Sequence, residues 1–390
     1  MLPLVTPDGL RASFARILGA RTLLAKRVDR SSPAGRHALI AAIVLLLFAP
    51  FVTAETARSI AAEDLERMRE RAATLGPVHA LLVSRDGETL FEHAFDGPGL
   101  DQPANIKSLS KTVQSALVGI AIDRGLIERP EQPMMELLGD RAPVNGDPRL
   151  AAVTVDHLLS MRAGLASTSG RNYGRWVASE DWVGFALRQP FVDPPGARMQ
   201  YSTGVWHVLS AILTEQAGDS TLTLARRWLG RPLDISIPPW PRDPQGVYFG
   251  GNDMLMTPRH LLNFGELYLN GGVENGHRIL PQGWIEASWV PRTRSPWSGD
   301  DYGYGWFITE LAGERVYYGR GYGGQLLHVI PDLGIVVVIT SRSTPPSAGG
   351  GYVRALHTLV AEHVIPGARR CDAGSRADAT NSKDTTWASC

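Results

Sequence analysis

A serine and a lysine three residues apart could supply a nucleophile and its base. The segment Ser108-Leu109-Ser110-Lys111 is the only Ser-x-x-Lys in the sequence. On a helix, residues i and i+3 share a face, so the amine of Lys111 would lie beside the hydroxyl of Ser108. A serine needs a basic neighbour of this kind to become a nucleophile at neutral pH. The motif therefore predicts attack by Ser108 on a carbonyl carbon, with Lys111 as the base.

The scarcity of lysine supports this role for Lys111. Of the 39 basic residues, four are lysines, at positions 26, 107, 111 and 383. Arginine stays charged in proteins, whereas burial can lower the pKa of a lysine until it acts as a base. The alternative is that Ser108 only caps a helix and that Lys111 is solvated in the first turn. The motif alone leaves both interpretations open because it is short.

Local patterns predict the elements that must position these residues. Alternating apolar residues and turn residues predict one β-hairpin near each end of the body, with strands at 77–84 and 89–95 and at 325–330 and 335–341. Helices are predicted at 57–75, 108–124, 155–161, 182–187, 205–217, 221–228, 258–270 and 352–364. This order predicts an α/β (α+β) fold. Its antiparallel sheet is built from both ends of the chain, with flanking helices and an inserted helical lobe at about 108–285.

The first 54 residues have the pattern of an export signal. Seven basic and two acidic residues give them a net charge of +5, and the rest of a chain of zero net charge carries −5. An apolar run at 38–51 is followed by small residues up to Ala54, which is typical of a cleavable signal peptide. An uncleaved signal anchor is the alternative. We therefore expect an exported protein, either periplasmic or attached to the cytoplasmic membrane through residues 38–54 and facing the periplasm.

Composition restricts the remaining possibilities. Neither the net charge of +5 in the first 54 residues nor that of −5 in the rest of the chain favours a nucleic-acid binder, which normally has a strongly basic face. The ten histidines have none of the paired spacings of metal ligands, so we expect no metal and no cofactor. Residues 55–367 are predicted to form the catalytic domain. Residues 368–390 lack apolar periodicity and are predicted to be disordered. Both cysteines, Cys371 and Cys390, lie there and could pair in an oxidising compartment.

Segments in a particular order resemble the serine β-lactamase and penicillin-binding protein superfamily. The resemblance implies a β-lactamase/transpeptidase-like fold and an acyl-enzyme mechanism in which Tyr201 completes the catalytic group with Ser108 and Lys111. The similar segments are 108–112 with 116–121 (the active-site helix), 154–165 (the segment that follows it in the class C branch), 195–204 (the second motif, Tyr-x-Asn) and 319–325 running into 329–332 (the third motif).

Departures from the superfamily pattern favour one branch of it. Thr203 stands where class C β-lactamases have asparagine, and the third motif lacks the Lys-Thr-Gly or His-x-Gly that grips a substrate carboxylate. The glycine-rich version is similar to nylon-oligomer (aminohexanoate-dimer) hydrolases and related esterases. That branch can place a substrate-facing tyrosine where Tyr173 stands. Residues 248–254 also fit the branch, and we expect them to shape a loop near the site.

The resemblance also implies an oxyanion hole and a substrate class. The N–H of Ser108 and one from the turn formed by Gly321, Tyr322 and Gly323, with Tyr322 favoured, would bind the oxyanion. Glycines there could equally be a tight strand turn. The leading function is a serine hydrolase of a small ester or linear amide. One alternative is a β-lactamase or D-alanyl-D-alanine carboxypeptidase acting on cell-wall peptides, ranked second since no cationic residue of the third motif is apparent to hold the substrate carboxylate. The other is a non-catalytic protein that binds peptidoglycan or a partner.

Overall fold

The sheet at the centre of the protein is built from both ends of the chain, as predicted. The structure, a computed structural model, describes residues 58–143, 145–344 and 350–380, and of residues 375–380 only the backbone. The strands are β1 Val78–Arg85, β2 Glu88–Ala94, β3 Ala104–Asn105, β4 Leu255–Met256, β5 Val273–Glu274, β6 His277–Arg278, β7 Thr293–Arg294, β8 Asp301–Tyr302, β9 Phe307–Leu311, β10 Glu314–Gly321, β11 Gln325–Ile330 and β12 Ile335–Ser341. The main sheet has the order β2-β1-β12-β11-β10-β9-β8-β7, and its hydrogen-bonded neighbours are antiparallel.

Strand β12 lies inside the sheet because its sequence suits burial on both faces. Every residue of β12 is buried, and it pairs with β1 on one side and β11 on the other. β-branched residues such as Val337 and Ile339 pack well on such a surface. The predicted hairpins at 77–95 and 325–341 are therefore confirmed, and the closing contact between the two ends of the chain is the β1–β12 pair.

The helices predicted between the hairpins are present, with small changes at their ends. The helix 221–228, for example, is α-helical up to Ala225 and continues as a π-turn at Arg226–Gly230. The helices are α1 Ala62–Ala73, α2 Ser110–Asp123, α3 Val155–Leu159, α4 Tyr173–Val177, α5 Trp182–Leu187, α6 Thr203–Ala217, α7 Thr221–Ala225, α8 Pro258–Leu269, α9 Gln282–Ser288, α10 Gly350–Leu359 and α11 Ile365–Thr380.

Different helices cover the two faces of the sheet. Neighbouring residues of a strand point to opposite faces. On β11, the side chain of Leu327 lies so close to α8 that a Cβ atom on Gly265 would come 2.8 Å from its Cδ1 atom. The next residue, His328, makes a 3.1 Å Nε2···Nδ1 hydrogen bond with His357 of α10. The inserted lobe therefore covers one face, and the carboxyl-terminal helices cover the other.

The prediction of disorder from residue 368 is wrong for the residues that form α11. Ala368 and Cys371 are buried on this helix. Arg85 of β1 is fully buried, and its Nη2 atom donates to both carboxylate oxygens of Asp372 at 2.7 Å. A composition argument misses this helix because the partner of Asp372 lies 287 residues away in the sequence.

Two predictions concern residues outside the described ranges. The leader, residues 1–54, lies there, and so does Cys390, so export and the pairing of the cysteines stay predictions. Among the residues that the structure does describe, no helix is both long and apolar enough to cross a membrane.

Candidate active site

Ser108 and Lys111 lie together where a short turn enters the central helix of the lobe. The turn is a 3₁₀ helix at Lys107–Leu109, and α2 follows with every residue up to Ala121 buried. The Lys111 Nζ atom is 3.1 Å from the Ser108 Oγ atom. The alternative interpretation of a capping serine and a solvated lysine is wrong, because Ser108 is not the cap residue of α2 and Lys111 is 2 % exposed.

The partners of Lys111 suit a neutral amine. Its Nζ atom donates to the carbonyl oxygen of Gly251 at 2.6 Å and lies 3.3 Å from the Thr203 Oγ1 atom. A neutral amine has two N–H donors, which these two oxygens can accept, and one lone pair, which can accept the hydroxyl proton of Ser108. Burial lowers the pKa of Lys111 to about 7, against an opposing effect of the negative charge of Asp253. At neutral pH a large share of the amine is therefore unprotonated.

Tyr201 completes a three-residue cluster around the Ser108 hydroxyl. It stands two residues before α6, and its ring centroid is 5.1 Å from the Lys111 Nζ atom. Burial raises the pKa of Tyr201, and its hydrogen bond with Ser108 and the positive charge of Arg320 partly oppose this. The phenol therefore keeps its proton at neutral pH. The structure thus brings together the three residues that the sequence predicts as catalytic.

Thr203 supplies a hydroxyl where the related motif has an asparagine. Its Oγ1 atom lies between the amine of Lys111 and the Ser169 Oγ atom, 3.0 Å away. Its backbone N–H also donates to the Ser169 Oγ atom at 2.8 Å, at the first turn of α6. The departure from the asparagine pattern therefore keeps a polar partner for Lys111.

The third motif packs against the turn that carries Ser108. Gly321, at the end of β10, lies so close to this turn that a Cβ atom would overlap the carbonyl oxygen of Ile106. Gly323 has a φ of +82°, which an L side chain rarely adopts, so the turn after β10 requires glycine there. Tyr322 between them is 54 % exposed. Gly321 thus lies against the segment that leads into the Ser108 turn, and the Tyr322 side chain is turned to solvent.

Tyr173 contacts the loop at 250–254. The Asn252 Nδ2 atom donates to its hydroxyl at 3.0 Å, and burial raises the pKa of Tyr173 to about 12. The preceding residue, Gly251, accepts the hydrogen bond from Lys111. The expectation that this loop lies near the site is therefore confirmed.

A buried histidine that the sequence did not indicate supports this loop from behind. The backbone N–H of Gly250 donates to the His207 Nδ1 atom at 3.2 Å, so the proton of a neutral His207 ring must be on Nε2. That nitrogen lies 2.9 Å from the Asp243 Oδ2 atom, and both side chains are fully buried. The pair holds the loop that bonds Lys111. The only available signal in the sequence was a histidine within the predicted helix at 205–217, where the neighbouring residues are mostly apolar.

Two further residues near the site were also missed. Trp297 is 70 % exposed and packs edge-on against Tyr201, with ring centroids 5.9 Å apart. Arg320 stands between Gly319 and Gly321, whose Cα atoms face the Ser108 turn, so strand alternation directs its side chain to the other face. Its charge reaches Tyr201 and also His357 on that face. The third motif therefore contains a cation, but one that is directed away from Ser108.

Comparison with known proteins agrees with this arrangement. The family model described as Beta-lactamase matches residues 66–362. The chain is 26% identical over 310 residues to the 6-aminohexanoate-dimer hydrolase of Paenarthrobacter ureafaciens. This alignment covers 73% of this chain and 76% of that protein. Among solved structures, the octameric penicillin-binding protein homologue from Pyrococcus abyssi has a TM-score of 0.62 at 18% identity, covering 78% of this chain and 77% of that one. EstCE1, a hydrolase with promiscuous acyltransferase activity, has a TM-score of 0.63 at 17% identity, covering 77% and 98%.

The two structural similarities are at low identity and concern the fold. The family model covers most of the sequence, including the Ser108 turn, the Tyr201 segment and the β10–β11 turn. The chain therefore belongs to the Beta-lactamase family, within the serine β-lactamase and penicillin-binding protein superfamily.

Proposed function

We propose that the protein is a serine hydrolase that cleaves a small ester or linear amide through an acyl-enzyme intermediate. The observation that carries the proposal is the contact of the Ser108 hydroxyl with a buried amine whose pKa is about 7. A base with a pKa near the working pH combines a large unprotonated fraction with enough basicity to remove a proton. A penicillin-binding or lactam-cleaving enzyme would use the same groups, so substrate class needs separate arguments.

The first half-reaction forms a bond between the Ser108 Oγ atom and the carbonyl carbon. The hydroxyl proton moves to the lone pair of Lys111 as this bond forms. Collapse of the tetrahedral intermediate breaks the bond to the leaving alcohol or amine. The leaving group takes a proton from Tyr201, which receives the one held by Lys111. In the second half-reaction, water attacks the acyl carbon and gives a proton to the pair formed by Lys111 and Tyr201. The bond between the acyl carbon and the Ser108 Oγ atom then breaks, and this oxygen takes a proton back from the same two residues.

The oxyanion formed in both half-reactions needs two donors. We assign this role to the backbone N–H groups of Ser108 and Tyr322. Support comes from the packing of Gly321 against Ile106, which brings the β10–β11 turn to the Ser108 turn. Pre-oriented N–H groups of this kind are worth roughly 10²–10³ in rate each.

The surroundings of the site favour a substrate with an apolar portion and no required carboxylate. Trp297 offers an exposed indole next to Tyr201. Arg320, the cation in the third motif, is directed to the other face of the sheet. The similar hydrolase from Paenarthrobacter ureafaciens carries the name of a linear amide, the 6-aminohexanoate dimer, as its substrate. These arguments rank a small ester or linear amide above a cell-wall peptide.

Intact-mass measurement after incubation with three compounds tests the proposal. The compounds are p-nitrophenyl acetate, the aminohexanoate dimer and penicillin. We expect a transient acetyl adduct with turnover of the ester, and no lasting adduct with penicillin. A stable penicilloyl adduct would favour the carboxypeptidase alternative. An acetyl adduct that is never hydrolysed would favour a binding protein, and no adduct with any compound would contradict the proposal.

We also propose, from residues 1–54 alone, that the protein is exported and faces the periplasm. The support is the basic segment followed by the apolar run at 38–51. Cell fractionation checks this directly. We expect the protein in the periplasmic or membrane fraction, and full-length protein in the cytosol would contradict export.

A further inference from the structure

A second lysine of the lobe forms an ion pair beside the site that the mechanism above does not use. The Lys107 Nζ atom lies 3.0 Å from the Asp253 Oδ1 atom, with 27% and 16% of the two side chains exposed. Asn105 binds both partners. Its Nδ2 atom donates to the same carboxylate oxygen at 2.9 Å, and its Oδ1 atom accepts from the backbone N–H of Lys107 at 2.9 Å.

The backbone at both partners is unusual. Lys107 has a φ of +52° and Asp253 a φ of +59°, in the left-handed region that residues with side chains rarely adopt. Lys107 directly precedes Ser108, and Asp253 follows the loop residue Gly251 that accepts the hydrogen bond from Lys111. Strain of this kind persists where the surrounding contacts hold it. The ion pair therefore links the two segments that position the nucleophile and its base.

The negative charge of Asp253 raises the pKa of Lys111 and so favours its ammonium form. A cation paired with that carboxylate weakens such an effect. Among the described residues, the other titratable side chains at this place are Tyr201, which faces Lys111, and Tyr173, which is within electrostatic reach of Asp253. Both are neutral phenols at pH 7, because burial raises their pKa. Farther away, Arg320 acts on Tyr201.

We propose that Lys107 keeps Lys111 in its neutral, basic form by weakening the effect of the Asp253 charge on it. Lys107 and Asp253 would then be positioning residues that act through Lys111 and touch no substrate. The proposal rests on the proposed function, since it needs Lys111 to act as the base. It also gives a reason for a cation at position 107.

The test is the pH dependence of covalent labelling by a fluorophosphonate probe, measured as a second-order rate between pH 5 and 9. The wild-type rate should rise with pH through the pKa of Lys111, near 7. In Lys107→Gln the uncompensated carboxylate should move this rise upward by roughly half to one pH unit, which lowers the rate below the midpoint by about 3–10-fold. Lys107→Arg, which keeps the charge, should leave the midpoint at the wild-type pH. Asp253→Asn should move it downward.

The outcomes separate this proposal from the proposed function. If wild-type Ser108 is not labelled at any pH, the proposed function fails. If labelling at Ser108 occurs and the midpoint stays the same in both Lys107→Gln and Asp253→Asn, the ion pair has only a structural role and the inference is wrong. A rate that falls equally at every pH is also evidence against it. Should Lys107→Gln fail to fold, the downward shift in Asp253→Asn remains as an independent test.

Discussion

Replacing Ser108 with alanine is expected to abolish labelling by a fluorophosphonate probe and to lower p-nitrophenyl ester turnover by about 10⁴-fold or more. The substitution removes the oxygen that we propose forms the acyl bond, while the amine of Lys111 and the phenol of Tyr201 remain. Ser108 is partly exposed in a short turn, so the loss of its hydroxyl leaves no buried cavity. Intact mass and labelling kinetics measure the effect.

A matched control is available on the same helix. Ser115 of α2 is fully buried, and its Oγ atom has no hydrogen-bond partner among the described residues. Ser115→Ala should therefore fold and label like the wild type. If Ser108→Ala still becomes labelled and hydrolyses esters at rates close to this control, Ser108 is not the nucleophile.

Replacing Lys111 with arginine should be almost as damaging, with a loss of about 10³-fold or more in the acylation rate. Arginine keeps the positive charge but cannot give up its proton, so it cannot take the proton of Ser108. Its guanidinium is also larger than the site, where the Lys111 Cγ atom already lies close to Gly251. Labelling rates between pH 5 and 10 measure the effect. The loss should persist at high pH, since no deprotonated form becomes available.

Lys111→Met distinguishes loss of the base from damage by a larger side chain. Methionine fills similar space without charge, and burying it costs less than burying an ammonium group. We expect this variant to unfold at a temperature at or above that of the wild type and still to be inactive. Activity within tenfold of the wild type in either variant would contradict the assignment of Lys111 as the base.

Local sequence patterns were sufficient for much of the fold. The hairpins β1–β2 and β11–β12 were predictable because alternation and turn residues act over a few positions. The two-residue strands β7 and β8 and the helix α11 were not. Two-residue strands carry almost no pattern, and α11 is stabilised by Arg85 and by burial of Ala368, which depend on packing with distant elements.

The site also has a part that the sequence predicted and a part that only the structure showed. The pairing of Ser108 with Lys111 was predictable because i,i+3 neighbours share a helix face, and Tyr201 was identified through its motif. The carbonyl of Gly251, the ion pair of Lys107 with Asp253, and the support from His207 came only from the structure. These contacts join residues separated by 36 to 146 positions along the chain, and no local pattern specifies them.

By itself, the sequence determined which groups are available: one serine and one lysine at helical spacing, in a chain whose other cations are mostly arginine. Only the tertiary structure decided the chemical state of that lysine. An amine in water is an ammonium ion at neutral pH. The cost of holding its charge depends on what surrounds it. Burial under the 250–254 loop, against the neighbouring charge of Asp253, lowers the pKa of Lys111 to about 7. Folding of the chain therefore lets Lys111 act as a base at neutral pH.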